Sequence, residues 1–391
     1  MPLSRREVMR GAALLGGAAS MSGVLGSQSG AAAATPEVAT AAPHVLTSPP
    51  YFDLSRASRS SFQTSSELLG LRTAENHFQV QGLTIDSGSG TFFVAQAPNP
   101  DQPTLRMTVN GRSWSADPYN QHASGDLVIS RLDLTTGELR DSMYVMGAGH
   151  GGQIAVEPAG SRPFLWLETY PSNPKTQGSS PHILSGQVFG SRLARLPYRP
   201  HRLVTNTQVV TSRYAAAPYV VMRRTPVAGA RRYSVSIDAS SAFSGSPNGV
   251  LVVRYHRHED PTGAPLWFSA FDLDAARDGD FSTPLAATSE PTELSGAGPH
   301  SEGFATCGQY IYLVGTDADG LSSLYEVDLN GPPGSYRSKV ELPGRGEPES
   351  VALYAPGGVP TQLYYLSASV TQPRTFDLYF LNAMTPVQST P

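Results

Sequence analysis

The chain has 391 residues, 39% of them hydrophobic and 15% charged, with a formal net charge of −4. That supplies a large core, and an all-β fold can use such a length as one domain. The weak negative balance gives no electrostatic case for nucleic acid or an anionic membrane as partner, and the lone Cys307 forms no intrachain disulfide.

Residues 1–34 read as a twin-arginine signal peptide. Arg5 and Arg6 precede a modest apolar run from Ala12 to Leu25, and Ala31 to Ala34 offer small residues for cleavage. The run falls short of the roughly 20 apolar residues that span a bilayer, and no later stretch spans one. The mature protein is therefore expected to be secreted, exported by the twin-arginine pathway. Residues 35–60 are expected to be a flexible lead-in, and 61–391 a single domain.

From residue 79 the pattern is a short apolar strand, a turn with Gly, Pro or Asp, and a second strand rich in aromatic and β-branched residues. It recurs at 79–96, 150–168, 233–254, 300–314 and 347–367. Third strands follow at 126–133, 266–273, 323–329 and 376–381, while 98–124 and 171–192 read as long loops. Aligned on Leu83, Ile154, Ile237, Phe304 and Val351, the copies stand 71, 83, 67 and 47 residues apart. A solenoid would need a near-fixed period, and a sandwich would show turns without a repeated strand pair. A five-bladed β-propeller tolerates unequal loops on its faces. The expected fold is all-β, a five-bladed propeller with a polar central channel.

The innermost strands of a propeller line its channel, so equivalent positions converge at one mouth. Four residues before the alignment points stand Gln79, His150, Tyr233, His300 and Glu347; two before stand Gln81, Gly152, Val235, Glu302 and Glu349. Positions two apart in a strand face the same way. A histidine beside carboxylates suits proton transfer near neutral pH. Converging carboxylates and amide oxygens suit a hard cation such as calcium (Ca2+). Arg231 and Arg232 could grip a phosphate or carboxylate, and Glu168 ends a strand near the same mouth. Other signals are weaker. His77, His122 and His182 lie in expected loops, and the run from His256 to Asp260 reads as a solvated hairpin. Cys307 reads as buried packing. With no Walker loop, dinucleotide fingerprint or Gly-x-Ser-x-Gly elbow, no organic cofactor is expected.

Three segments then carry a resemblance: Val80 to Asp86, Gly125 to Ile129, and Gly149-His150-Gly151-Gly152-Gln153 running to Glu157, with Leu165-Trp166-Leu167-Glu168. They resemble the TagC-like propellers, a family that includes the teichoic acid biosynthesis protein C and receptor-binding propellers of certain phage tails. The similarity is clearest over about residues 75–170. It implies a five-bladed propeller, a monomer, that engages wall teichoic acid or a related glycerol-phosphate polymer and cleaves its phosphodiesters as a lyase. In that chemistry His150 and His300 would exchange protons, with Glu302 orienting one of them. Gln79, Gln81, Glu168, Arg232, Tyr233 and Glu349 would bind substrate or a cation. The alternative is a propeller that binds teichoic acid or a wall glycan without cleaving it, and a third reading is an enzyme acting on a sugar lactone or another glycan.

Overall fold

A computed structural model describes residue 48 and residues 50–384, with breaks at 75–77, 99–104, 110–111, 117–124, 158–161, 172–188, 206–216, 219–221, 239–248, 258–263, 296–299, 345, 370 and 372. The chain divides into two units, Met1–Pro43 and His44–Pro391, and every described residue belongs to the second. The signal segment and His77, His122 and His182 lie outside the described residues, as do residues 258–260. No helix among the described residues is long and apolar enough to cross a membrane.

In chain order come β1 (Gln79–Asp86), β2 (Thr91–Ala97), a hairpin of β3 (Leu105–Val109) and β4 (Arg112–Ala116), β5 (Leu127–Asp133) and β6 (Leu139–Met146). Then follow β7 (Ala155–Glu157), β8 (Phe164–Pro171), β9 (Gly190–Pro197), β10 (Leu203–Thr205), β11 (Ala217–Pro218) and β12 (Met222–Arg224). The rest are β13 (Ala230–Asp238), β14 (Val250–Arg257), β15 (Trp267–Asp272), helix α1 (Leu273–Asp278), β16 (Ala286–Ser289), β17 (His300–Cys307), β18 (Tyr310–Thr316), β19 (Ser322–Asp328), β20 (Ser338–Glu341), β21 (Glu347–Tyr354), β22 (Gln362–Ala368) and β23 (Phe376–Asn382).

These strands form five antiparallel blades whose innermost strands are β1, β7, β13, β17 and β21. Each innermost strand lies against its neighbour in that order, and β21 returns to β1. The protein is a five-bladed β-propeller, as the repeat predicts. Blade one is extended beyond β6 by the parallel strands β10 and β11. The loop expected at 98–124 differs from the reading above, because it carries the β3–β4 hairpin.

The alternation within each second strand explains the ring. In β2, Phe92 and Val94 face blade five while Phe93 and Ala95 face blade two; in β18, Tyr310 and Tyr312 face blade five while Ile311 and Leu313 face blade three. Both faces of a blade are covered, so its middle strand is apolar throughout. One apolar cluster fills each of the five gaps between neighbouring blades.

Among the described residues, blade five has three strands of its own, β21, β22 and β23. Its outer edge is supplied from the N-terminal side: Gln63 exchanges backbone hydrogen bonds of 2.8 Å with Phe380, and Leu71 pairs with Phe376. The lead-in expected at 35–60 is part of this arrangement from residue 50 onward. Phe52 and Leu54 are buried between blades four and five, and the Phe52 carbonyl accepts from Tyr312 Oη at 3.0 Å. Pairing the first segment with the last blade ties the ring shut.

Candidate functional site

Four of the five innermost strands begin with a β-bulge: between Val80 and Gly82, Arg231 and Ser234, Ser301 and Phe304, and Pro348 and Ser350. A bulge leaves one or two residues outside the ladder and re-aims their side chains. The residues so released are Gln81, Arg232 with Tyr233, Glu302 with Gly303, and Glu349. The bulges stand at equivalent places in their blades, so the mouth is built from irregular rather than ideal strand.

Counting back from the hairpin ends, Leu83, Ile154, Phe304 and Val351 are equivalent, as expected. In blade three the equivalent is Val235, paired with Val253, and not Ile237. Val235 and Ile237 are two residues apart on one face of the strand, so alternation alone does not choose between them. Tyr233 is turned away from the mouth: the ring packs in the core between blades two and three, and its hydroxyl donates to the Val227 carbonyl at 2.9 Å. Arg232 takes the outward place instead, with a left-handed φ of 61°.

Blades four and five bring three of the expected groups together. His300 Nε2 lies 3.4 Å from Glu302 Oε1, and one ligand atom from each of His300, Glu302 and Glu347 lies within 4.8 Å of the others. The side chain of His300 is 37% exposed and that of Glu302 13%, so the pair is open to a ligand. Gln79 opens β1, the strand next to β21, and is half-buried, while Gln81 and Glu349 lie two residues further along their strands, each 1% exposed. Neither amide atom of Gln81 has a hydrogen-bond partner.

Blades two and three make the other side. The His150 ring meets Phe189 edge-on at 5.3 Å, and the Arg232 guanidinium lies 4.6 Å over the same ring. Phe189, which sequence reasoning placed in a loop, joins the two. Glu168 is spent on the backbone: it accepts from the N–H groups of His150 at 2.6 Å, Gly151 at 2.9 Å and Gly190 at 2.7 Å. Burial pushes its carboxyl up to about 7, although those donors pull the other way. The glycines around His150 follow from this wrap. A Cβ on Gly149, at φ 142°, would stand 2.5 Å from Glu168 Cδ. The turn folds tightly around a carboxylate rather than around a phosphate.

Sequence reasoning missed Gln153. Its amide crosses the axis below the mouth, donating to Leu83 O at 2.6 Å, Ile154 O at 3.0 Å and Val351 O at 3.4 Å, while its oxygen accepts from Phe304 N at 3.3 Å and from the Ser350 hydroxyl. One side chain thus links blades one, two, four and five. The only prior signal was its place beside the glycine turn. His256 corrects the reading of a solvated hairpin: it is 9% exposed on β14. Cys307 is buried at the end of β17, and burial raises its thiol pKa well above the usual value.

The cluster of His300, Glu302 and Glu347 could hold a divalent cation. One imidazole and two carboxylates fall short of the roughly six to eight oxygens that calcium takes. The mixture is nearer to what zinc or manganese accepts.

No family model and no curated protein matches this sequence. Among solved structures, the tail fiber of a Staphylococcus aureus phage matches with a TM-score of 0.52 at 11% identity, over 86% of this chain and 55% of that one. An α-L-arabinofuranosidase from Lactobacillus brevis matches at 0.40 with 12% identity, over 80% of this chain and 93% of that one. This chain thus spans about half the length of the tail-fiber chain, and at such identities the likeness is one of fold.

Proposed function

We propose that the protein is exported and acts on a glycerol-phosphate polymer of the cell wall, of the teichoic acid class, cleaving its phosphodiesters at the propeller mouth. The observation that carries this reading is the exposed His300–Glu302 pair, with Arg232 facing outward from the neighbouring blade. The TagC-like sequence resemblance suggests the polymer, and the tail-fiber likeness in fold is compatible with it.

The chemistry follows from the parts. Glu302 orients the His300 ring across their 3.4 Å contact. His300 takes the proton from a free glycerol hydroxyl next to the phosphodiester. That oxygen forms a new bond to phosphorus as the bond to the next glycerol breaks, giving a cyclic phosphate. The departing oxygen takes up a proton, for which His150 is the candidate donor. Arg232 holds the polymer by its phosphates beside this pair.

The test is incubation of the purified protein with poly(glycerol phosphate), following cyclic phosphate by phosphorus NMR. Wild type is expected to release it and His300→Ala to lose it. Polymer bound without turnover would instead support a non-catalytic propeller that binds teichoic acid or a wall glycan.

A further inference from the structure

Between blades three and four lies a set of cationic donors that protein groups do not saturate. Arg254 on β14 is 2% exposed. It rests over the Phe304 ring at 5.4 Å and donates to Ser301 Oγ at 3.3 Å and to Ser234 Oγ at 3.4 Å, both long, and among the described residues its Nε has no hydrogen-bond partner. Among the described residues no carboxylate oxygen lies within 4.0 Å of its guanidinium. The buried Glu290 gives its oxygens elsewhere, to the Leu266 N–H at 2.8 Å and to the Ser301 hydroxyl. A buried guanidinium without a contacting counter-charge is costly.

Two further groups share this region. His256 stands two residues along β14, on the same face, with Nδ1 buried and unpartnered. Arg232 holds a left-handed backbone that a non-glycine residue adopts at a cost. It lies close enough to Arg254 that, after burial, its charge is the next largest cause lowering the Arg254 pKa to about 10. Glu290, Glu302 and Glu168 act on Arg254 only at longer range. Glu168 and Glu290 have their oxygens engaged by backbone N–H and hydroxyl donors, so neither offers Arg254 a contacting counter-charge. Like charges brought together, a strained backbone and unpartnered donors are all features that an oxyanion offsets.

We propose that this cluster is a phosphate subsite in which Arg232 meets the phosphoryl oxygens first and Arg254, released from its two long hydroxyl contacts by a small rotation, completes the grip with His256. It rests on the reading above only for the identity of the carrier, where it would hold the phosphate next to the one being cleaved.

Calorimetric titration of inorganic phosphate into the full chain tests it. Wild type is expected to bind. Arg254→Met should weaken binding by about 10- to 100-fold, and Arg254→Lys should recover part of it, since a lysine restores the charge but not the two-pronged donor. Without phosphate, Arg254→Met should melt no lower than wild type, because a buried unpaired charge has been removed. A merely structural arginine would lower the melting temperature instead. Arg232→Met, on the more exposed side, gives the same binding test should Arg254→Met fail to fold.

The subsite is overturned if wild type does not bind phosphate, if both methionine variants bind it like wild type, or if glucuronate binds as tightly as phosphate. Cleavage of poly(glycerol phosphate) is measured in parallel. Turnover with phosphate binding independent of both arginines sinks the subsite alone. Arginine-dependent phosphate binding without turnover sinks the lyase reading alone.

Discussion

The two histidines expected to work together stand at blade starts built in opposite ways. At blade two, a glycine turn wraps the buried Glu168, whose carboxylate accepts from three backbone N–H groups, and His150 is 8% exposed. At blade four, a bulge releases Glu302 toward His300, and both side chains keep contact with solvent. Glu168 serves as scaffold beneath its histidine, whereas Glu302 stands available beside the one it accompanies. A carboxylate surrounded by N–H donors has little left to offer a ligand.

That contrast can be broken most sharply at His300. His300→Ala should lower the rate of polymer cleavage by about 100- to 10,000-fold, the range general acid–base groups supply, with the melting temperature little changed. Gln153→Ala should cost about 3 kcal/mol in urea unfolding, since it leaves groups of several blades unpartnered at once. A loss below about 1 kcal/mol would show that the axial amide is dispensable.

Glu168→Gln should cost about 2 kcal/mol, because its amide nitrogen would face an N–H donor. It should also change the pH profile. The folded carboxyl has its pKa raised to about 7 from 4.5, so the fold holds this proton better than the unfolded chain does. The associated stability is present in full below 4.5 and lost as pH rises through about 7. Melting temperatures across that window should fall more steeply for wild type than for Glu168→Gln; parallel curves would refute the shift. Glu302→Gln should be mildest, lowering cleavage roughly tenfold without altering stability. Were a chelator to abolish cleavage and zinc to restore it, His300 and Glu302 would be ligands rather than a proton-transfer pair.

Much of the ring was legible because blade strands announce themselves locally. Leu83, Ile154, Phe304 and Val351 mark equivalent places in four blades. Ile237 misleads by two residues, since it and Val235 share one face of the strand and alternation does not tell them apart. The meeting of His300, Glu302 and Glu347 followed from register alone. The outward Arg232, the buried Arg254 and His256, and the role of Phe189 did not.

The sequence by itself determined the blade number, the order of the innermost strands and, in blades one, four and five, the residues opening them, because alternation and turn chemistry act within a few neighbours. Only the tertiary structure decided which segment closes blade five, where Thr64 donates to Leu378 across 314 residues, and which glutamate is spent on backbone. Such pairings depend on groups far apart in the chain competing for the same hydrogen bonds, and a local pattern carries no record of who wins.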